Sequence, residues 1–312
     1  MVKNEFYYPS VDGKTQIHAV EWIPNGDVVG VLQIAHGVTE YILRYEEFAN
    51  YFTSKGFVVV GNDHLGHGDS VAEGAMPMYF GPKGSWNYVV EDFKSCRDII
   101  SKRYNDVPYF LLGFSLGSFV VRSFLIQYPN VIDGAIIMGT GQQSSIAIQI
   151  AKFVANKEGS KYGEDHPTPT IKELTFGNYN KNFSPNRTDL DWLCSSEKNL
   201  DIYIADPKRG EEFSAGLFRE LLDGMLYTAK LNNIKKMNTN IPILFISGGD
   251  DPVGEGGKGV IRAYRFFKKA GIKDVSMKLY PGLRHDILHE DCNKDIYNYL
   301  YEWLISKIDN RK

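Results

Sequence analysis

The chain has 312 residues, of which 43% are hydrophobic and 13% aromatic, so it can bury a large core. Its net charge of −3 gives no sign of a surface built for nucleic acid or for an anionic membrane. Three cysteines, Cys96, Cys194 and Cys292, lie far apart in the sequence, which makes a disulfide framework unexpected. Because no apolar stretch follows the N-terminal lysine, we expect no signal peptide and a cytoplasmic protein.

Strands and helices alternate through the first 140 residues. A turn signal at Asp12-Gly13 predicts a leading β-hairpin, and amphipathic helices are predicted up to Gly56 and over about 88–104. The predicted strands are 5–8, 16–22, 28–35, 57–60, 109–112 and 131–138. This alternation is typical of an α/β fold with a mostly parallel central sheet and helices on both faces.

The alternation lapses between about residues 141 and 240 and then resumes with strands at 242–247 and 275–279. Helices are predicted over 260–270 and 295–308. We therefore predict a core in two parts, 1–140 and 241–312, with an inserted helical cap over 141–240. Two apolar stripes at helical spacing occur in the insert: Ile146, Ile150, Phe153 and Val154, and Leu217, Phe218, Leu221, Leu222 and Met225. We expect them to pack the cap onto the core and to line the space beneath it.

The strand at 109–112 passes almost directly into a helix through Gly113-Phe-Ser115-Leu-Gly117. So sharp a turn strains its central residue, and flanking glycines remove the side chains that would clash. The turn lifts Ser115 to the carboxyl edge of the sheet beside a helix N-terminus. This presentation is typical of the serine nucleophile in α/β-hydrolases.

A serine hydroxyl needs a base within hydrogen-bond reach, and in this fold an acid and then a histidine follow the serine along the chain. His285 is the predicted base because it follows the strand at 275–279, whereas His289 and His166 are the alternatives. The acid that orients the base is predicted in the loop after strand 242–247, which contains Asp250 and Asp251. We favour Asp251, since its position before a proline restricts its backbone.

The tetrahedral intermediate needs backbone N–H donors. Leu116, directly after the nucleophile, is one predicted oxyanion donor, and Val38, in the loop after strand 28–35, is the other. For His36, which precedes Val38 in that loop, a structural role is the simpler interpretation.

No metal site or cofactor is predicted. Asp63, His64 and His67 have ligand-like spacing, but the glycines around them favour a loop. Glu40 and Arg44 are four residues apart and could form an ion pair or remain two solvated charges.

Several motifs together resemble the monoacylglycerol lipase/lysophospholipase group of α/β-hydrolases, within the serine aminopeptidase S33-like group. They are His36-Gly37-x-x-Glu40-x-x-x-Arg44-Tyr45, Asp63-His64-x-Gly66-His67-Gly68-x-Ser70, Gly113-x-Ser115-x-Gly117, Asp251 with His285, and Tyr203-x-x-Asp206-Pro207. The chain departs from the group at Tyr41, where a histidine often stands, and at Ser118, where a second glycine often follows the elbow. The segment 142–185 matches no motif of the group.

The resemblance implies that Ser115, Asp251 and His285 form the catalytic triad and that Val38 and Leu116 donate to the oxyanion. It implies a serine hydrolase acting on monoacylglycerol-like or lysophospholipid-like esters, with a small-molecule or lipid ester as its partner and a possible transient contact of the cap with a membrane surface. A short-chain or aryl esterase, a hydrolase of small peptides, and a non-enzymatic ligand receptor on the same scaffold are the alternatives.

Overall fold

The structure is a computed structural model, and it describes residues 1–309. Eight strands form one sheet in the order β1-β2-β4-β3-β5-β6-β7-β8. The strands are β1 Val2–Pro9, β2 Gln16–Ile23, β3 Gly30–Ala35, β4 Phe57–Asn62, β5 Tyr109–Phe114, β6 Gly134–Met138, β7 Ile243–Gly248 and β8 Val275–Tyr280. β1 and β2 pair antiparallel, β2 joins β4 antiparallel, and all pairings from β4 to β8 are parallel.

Helices cover both faces of this sheet. They are α1 Glu46–Ser54, α2 Trp86–Ser101, α3 Leu116–Gln127, α4 Ser145–Tyr162, α5 Pro169–Phe176, α6 Glu197–Ala205, α7 Ala215–Ala229, α8 Leu231–Ile234, α9 Lys258–Ala270 and α10 Asn293–Asp309. One apolar core joins the sheet to α2, α3 and α9, and a second joins its other face to α1 and α10. Because both faces are covered, every residue of β3, β4 and β5 is buried, which explains their continuous apolar runs.

The predicted α/β class, with a mostly parallel sheet and helices on both faces, is confirmed. Each predicted strand is present, although β6 begins at Gly134 rather than at residue 131. Helices α4 to α8 lie between β6 and β7, in the segment predicted as a cap. The division of the chain into two core parts and a cap stays a prediction, since α7 also contributes Leu217 and Leu222 to the main core.

The first apolar stripe of the inserted segment does not pack as we expected. Ile146, Ile150 and Phe153 are 74%, 62% and 59% exposed. The helix α4 instead turns its opposite face inward, where Ile148 and Ala155 are buried. The small residue Gly159 is also buried on that face, and a Cβ there would lie 3.6 Å from the Cβ of Ala215 on α7, so the two helices approach closely on this side. The second stripe packs as predicted, with Leu217, Phe218 and Leu222 buried on α7.

None of the helices within residues 1–309 is both long enough and apolar enough to cross a membrane.

Candidate active site

The nucleophile elbow has the strained backbone that its sequence predicts. Ser115 lies between β5 and α3 with φ 52° and ψ −117°, a conformation that residues with a side chain rarely adopt. A Cβ at Gly117 would come 1.9 Å from the carbonyl oxygen of Ala35, and one at Gly113 would come 2.4 Å from the carbonyl oxygen of Gly117. Both glycines are therefore required by close backbone contact on either side of the serine.

The structure brings Ser115, His285 and Asp251 together. His285 Nε2 lies 2.9 Å from Ser115 Oγ, and His285 Nδ1 lies 2.9 Å from Asp251 Oδ1. The Nδ1–H direction is off the ideal line to the carboxylate, a misalignment that is common before a substrate binds. Asp251 is fully buried, and it accepts hydrogen bonds from Ser247 Oγ at 3.0 Å and from the Val253 N–H at 2.8 Å. These contacts fix the carboxylate beside the imidazole.

The alternative residues lie elsewhere. Asp250 is exposed in the turn that follows β7. His289 Nδ1 lies 2.8 Å from Asp286 Oδ2, so His289 pairs with Asp286 rather than with the serine. His166 is an exposed residue of the inserted segment, with Nδ1 2.9 Å from Asp165 Oδ1. The geometry thus favours His285 and Asp251 over each alternative.

The inserted segment holds the loop that carries His285. The Asp286 N–H donates to the Leu193 carbonyl at 2.7 Å, which pairs this loop with the stretch before α6. The Trp192 ring lies against the His285 ring, with centroids 5.4 Å apart. Trp192 is not among the predicted site residues, because a contact across more than 90 residues leaves no local pattern around either residue.

The two predicted oxyanion donors face the same space as Ser115. Val38 and Leu116 both line the cavity above the serine. Leu116 is the first residue of α3, so its N–H has no acceptor within the helix. Within residues 1–309, neither of the two N–H groups donates a hydrogen bond to a protein acceptor. Both are therefore free to bind an oxyanion.

A buried ion pair supports the loop of Val38. Of the two alternatives left open, Glu40 and Arg44 form the pair, with Arg44 Nη1 2.7 Å from Glu40 Oε2. Burial opposes the charge of Arg44, but the carboxylates of Glu40 and Asp286 raise its pKa above the ordinary value. Glu40 Oε1 accepts hydrogen bonds from the Gly37 N–H at 2.5 Å and from the Tyr45 hydroxyl at 2.7 Å. Both carboxylate oxygens of Glu40 thus help to hold this loop.

Three buried histidines also hold the loop. His36 Nε2 accepts a hydrogen bond from the His64 N–H at 2.9 Å, in agreement with a structural role for His36. His67 Nε2 lies 2.6 Å from the carbonyl oxygen of Val38. Burial lowers the pKa of all three histidines below the ordinary value. They are neutral rings that position Val38 by hydrogen bonds.

Asp63, which has ligand-like spacing to His64 and His67, already has protein partners. Asp63 accepts hydrogen bonds from the Ile42 N–H and the Asp69 N–H, each at 2.8 Å. His18 Nδ1 lies 2.9 Å from Asp63 Oδ2, so one histidine and two aspartates come together here. Because both oxygens of Asp63 are occupied, we interpret this group as support for the loop.

A cavity of about 330 Å³ lies above Ser115 and is mostly apolar. Its apolar wall comes from α4, α5, α7 and the stretch before α6, and includes Ile148, Ala151, Phe176, Trp192, Phe213, Phe218, Leu221, Leu222 and Met225. Its polar lining includes Thr39, Glu40, Arg44 and Tyr203. The nucleophile thus has a large apolar wall and a small polar area within one space.

This fold, with a strained serine in contact with a histidine that lies against a buried aspartate, defines the protein as a serine hydrolase of the α/β-hydrolase fold. The sequence pattern of the family described as serine aminopeptidase, S33, matches residues 26–292, and the chain belongs to that family.

Curated relatives cover nearly the whole chain. A monoacylglycerol lipase of Mycolicibacterium smegmatis is 24% identical over 312 residues, which is 98% of each chain. The monoglyceride lipase of Homo sapiens is 26% identical over 292 residues, covering 91% of this chain and 84% of the relative. These matches confirm the resemblance to the monoacylglycerol lipase group.

Solved structures share the fold. A thermostable carboxyl esterase from Bacillus coagulans, in complex with glycerol, superposes with a TM-score of 0.89 at 27% identity over 99% of both chains. A monoglyceride lipase from Saccharomyces cerevisiae superposes with a TM-score of 0.76 at 20% identity, covering 98% of this chain and 96% of that one. At that identity the second likeness shows the fold alone.

Proposed function

We propose that this protein is a carboxylic-ester hydrolase that cleaves monoacylglycerol-like or lysophospholipid-like esters through an acyl-enzyme on Ser115. One observation carries the proposal: the cavity that Ser115 and His285 line combines a large apolar wall with a polar area that includes Glu40, Arg44 and Tyr203. An ester of a long acyl chain with a small polar alcohol has the same division. The relatives named monoacylglycerol lipase support this substrate class.

In the proposed reaction, Ser115 Oγ attacks the ester carbonyl while His285 Nε2 removes its proton. Asp251 stabilises the imidazolium that forms and holds its orientation. The N–H groups of Val38 and Leu116 bind the oxyanion of the tetrahedral intermediate. His285 then protonates the leaving alcohol. In deacylation His285 takes a proton from a water molecule as the water attacks the acyl carbonyl, and it returns that proton to Ser115 Oγ as the carboxylic acid leaves.

The acyl chain is proposed to lie along the wall formed by α7, and the alcohol to lie at the polar area. Phe218, Leu222 and Met225 offer only carbon and sulfur surface to a ligand, which suits an alkyl chain. The solved Bacillus coagulans esterase holds glycerol, and this supports a polyol alcohol for the substrate proposed here.

A carboxylic ester suits this cavity better than the N-terminus of a peptide. A site for an N-terminal ammonium group needs a carboxylate that is free to pair with it. Glu40 is the one carboxylate among the cavity-lining residues of the described chain, and it is already bound to Arg44, the Gly37 N–H and the Tyr45 hydroxyl. The cavity therefore offers no unpaired negative charge to an amino group.

A substrate panel tests the proposal. We expect the highest kcat/KM for monooleoylglycerol or oleoyl lysophosphatidylcholine, and lower values for p-nitrophenyl acetate. An aminoacyl p-nitroanilide should not be cleaved. A panel in which acetate and butyrate esters are the best substrates would replace this proposal with a small-ester hydrolase. A protein that cleaves none of them and does not react with a fluorophosphonate would be a ligand receptor.

We also propose that the exposed stripe of α4 contacts the surface of lipid aggregates that carry the substrate. Ile146, Ile150 and Phe153 place three large apolar side chains on one exposed face beside the cavity-lining residues of the same helix. Such a group of exposed apolar residues is typical of an interaction site.

Replacing Ile146, Ile150 and Phe153 together by serine should reduce co-sedimentation with phosphatidylcholine vesicles, with hydrolysis of a soluble ester unchanged. Ile202→Ser, at a 62% exposed position on α6, is the control and should sediment as the wild-type protein does. Equal sedimentation of all three proteins would contradict this contact.

A further inference from the structure

A chain of hydrogen bonds leads from a buried arginine to the carbonyl of the nucleophile. Arg122 on α3 is fully buried, and its Nη1 lies 3.2 Å from Thr140 Oγ1, just after β6. Ser118 Oγ lies 2.9 Å from Thr140 Oγ1 and 2.6 Å from the carbonyl oxygen of Ser115. Ser118 is the residue that stands in place of a second glycine after the elbow. Its hydroxyl connects the other two residues to the nucleophile.

The chemistry of the two ends fixes the direction of every hydrogen bond in this chain. A guanidinium group only donates, and a carbonyl oxygen only accepts. Ser118 must therefore use its one hydroxyl hydrogen on the Ser115 carbonyl, and Thr140 must use its own on Ser118 Oγ. Each hydroxyl donates once and accepts once along the chain. Neither hydroxyl can turn without breaking a hydrogen bond in a buried site, which makes the arrangement rigid.

The carbonyl at the end of this chain belongs to the same peptide unit as the Leu116 N–H. That unit is planar and trans, so its C=O and N–H point in opposite directions. The Ser115 carbonyl accepts from the Ser118 N–H at 2.9 Å as well as from the Ser118 hydroxyl, and together these two hydrogen bonds also fix the direction of the Leu116 N–H. The unusual φ and ψ of Ser115 need such support, because a strained backbone persists only where its surroundings hold it.

Arg122 also connects this unit to the start of the inserted segment and to its helix α7. Its guanidinium donates to the Gly141 carbonyl at 3.0 Å and the Gln142 side chain at 2.7 Å, where the segment leaves β6. It donates to the Thr228 carbonyl at 3.1 Å, near the end of α7. No carboxylate of the described chain lies within ion-pair distance of Arg122, and burial lowers its pKa to about 9. Neutral oxygens alone therefore hold this guanidinium.

We propose that Arg122, Thr140 and Ser118 are positioning residues that direct the Leu116 N–H at the oxyanion of the tetrahedral intermediate. The inference rests on the proposed function, in which Leu116 is an oxyanion donor. The oxyanion exists only after the serine attacks, so this series of hydrogen bonds stabilises the transition state and leaves binding of the intact ester unchanged.

The variant Thr140→Val tests the proposal because it keeps the shape of the side chain and removes the hydroxyl. We expect kcat for p-nitrophenyl butyrate to fall by roughly 10- to 100-fold, which does not exceed the usual effect of deleting an oxyanion donor. KM should stay within about twofold of wild type. The Ki of a trifluoromethyl ketone, which forms a tetrahedral adduct, should rise by the same factor. Thr140→Ser restores the hydroxyl and should restore both values.

Ser118→Ala should lower kcat as Thr140→Val does, and the double variant should be no worse than either single variant, because both break one chain. The matched control is Ser123→Ala, on the same helix, which removes a buried hydrogen bond from Trp86 Nε1 at 3.1 Å. It should lower Tm and leave kcat unchanged.

A wild-type kcat and Ki in Thr140→Val, with a Tm that falls as in Ser123→Ala, would show that the series of hydrogen bonds only stabilises the fold. Should Thr140→Val not fold, Ser118→Ala decides by the same two measurements. Failure of the proposed function would look different, since the wild-type protein itself would then neither hydrolyse the ester nor bind the ketone.

Discussion

Asp250 and Asp251 are adjacent in the sequence, but only one of them contacts the base. Asp251 is fully buried beside His285, whereas Asp250 is exposed in the turn. Asp251→Asn should lower kcat by roughly 10⁴, because an amide favours the wrong imidazole tautomer and cannot stabilise the imidazolium. Asp250→Asn, the matched control, should change kcat far less. Parallel kinetics on a soluble ester measure both, and a reversed ranking would move the role to Asp250.

The residues of the site divide by how far their signals reach along the chain. Ser115 could be predicted because its flanking glycines and the strand and helix around it are contiguous in sequence. Trp192 and Arg122 could not be predicted, because their contacts join segments that only the folded sheet brings together. The choice of Asp251 over Asp250 rested on a single neighbouring proline, and the structure supplies the stronger reason, which is the burial of one carboxylate.

Among the elements, α7 is expected to set the acyl-chain preference. Phe218 lines the cavity, so Phe218→Ala should enlarge the space for the acyl chain and move the best substrate to a longer acyl chain. Each methylene buried contributes about 0.8 kcal/mol, so two carbons correspond to roughly tenfold in binding. A series of p-nitrophenyl esters from acetate to palmitate measures the change.

Leu217→Ala is the control for that series, since Leu217 is fully buried on the same helix but does not line the cavity. It should lower the free energy of unfolding by about 2–5 kcal/mol and leave the preferred acyl length unchanged. An unchanged profile in Phe218→Ala would show that the acyl chain does not lie along α7.

The two stripes of the inserted segment show what helical periodicity can and cannot predict. It located both α4 and α7, because apolar residues recur at helical spacing in each. It predicted the buried face of α7 and the wrong face of α4. A stripe of large apolar residues indicates burial only if a partner surface covers it, and on α4 the small residues of the other face pack more closely against α7.

For the whole molecule, the buried histidines predict that acid destabilises the fold. His36, His64 and His67 each have a pKa lowered by burial, so the unfolded chain binds more protons below its ordinary histidine pKa of about 6.5. Their contribution to stability is present above that pH and is lost as the pH falls. His18 acts in the opposite sense: burial opposes its charge, but Asp63 and Glu5 raise its pKa. Its stabilising contribution is present below about pH 6.5 and is lost as the pH rises through its folded-state value.

Below about pH 6.5 His18 keeps its stabilising contribution, and in this range the opposing group is Asp92, whose pKa burial raises to about 6. Because three histidines outweigh that one carboxyl group, we expect the free energy of unfolding to fall between pH 6.5 and pH 5, by up to about 1.4 kcal/mol per pH unit for each net proton. Urea denaturation across this range measures the slope. His67→Gln removes one of the three titrating groups and should make the slope shallower, and the difference between the two slopes separates His67 from the carboxylates. A stability that is constant or rises towards pH 5 would contradict this account of the cluster.

The predicted fold class followed from the alternation of strands and helices across the whole chain, which the family match and the solved structures support. The boundaries of the inserted domain and the cytoplasmic location stay predictions. The acyl and alcohol preferences depend on how α4, α5 and α7 meet above Ser115, and no local pattern in the sequence encodes that arrangement.

The covalent state of Ser115 during turnover tests the central claim most directly. The wild-type protein, quenched in acid while it hydrolyses p-nitrophenyl butyrate, should carry one butyryl group on the peptide that contains Ser115, as mass spectrometry of the digest would show. Ser115→Ala should carry no acyl group and should lose hydrolysis by on the order of 10⁶ in kcat. Near-wild-type hydrolysis by Ser115→Ala, or an acyl group on another residue, would contradict the assignment of Ser115 as the nucleophile.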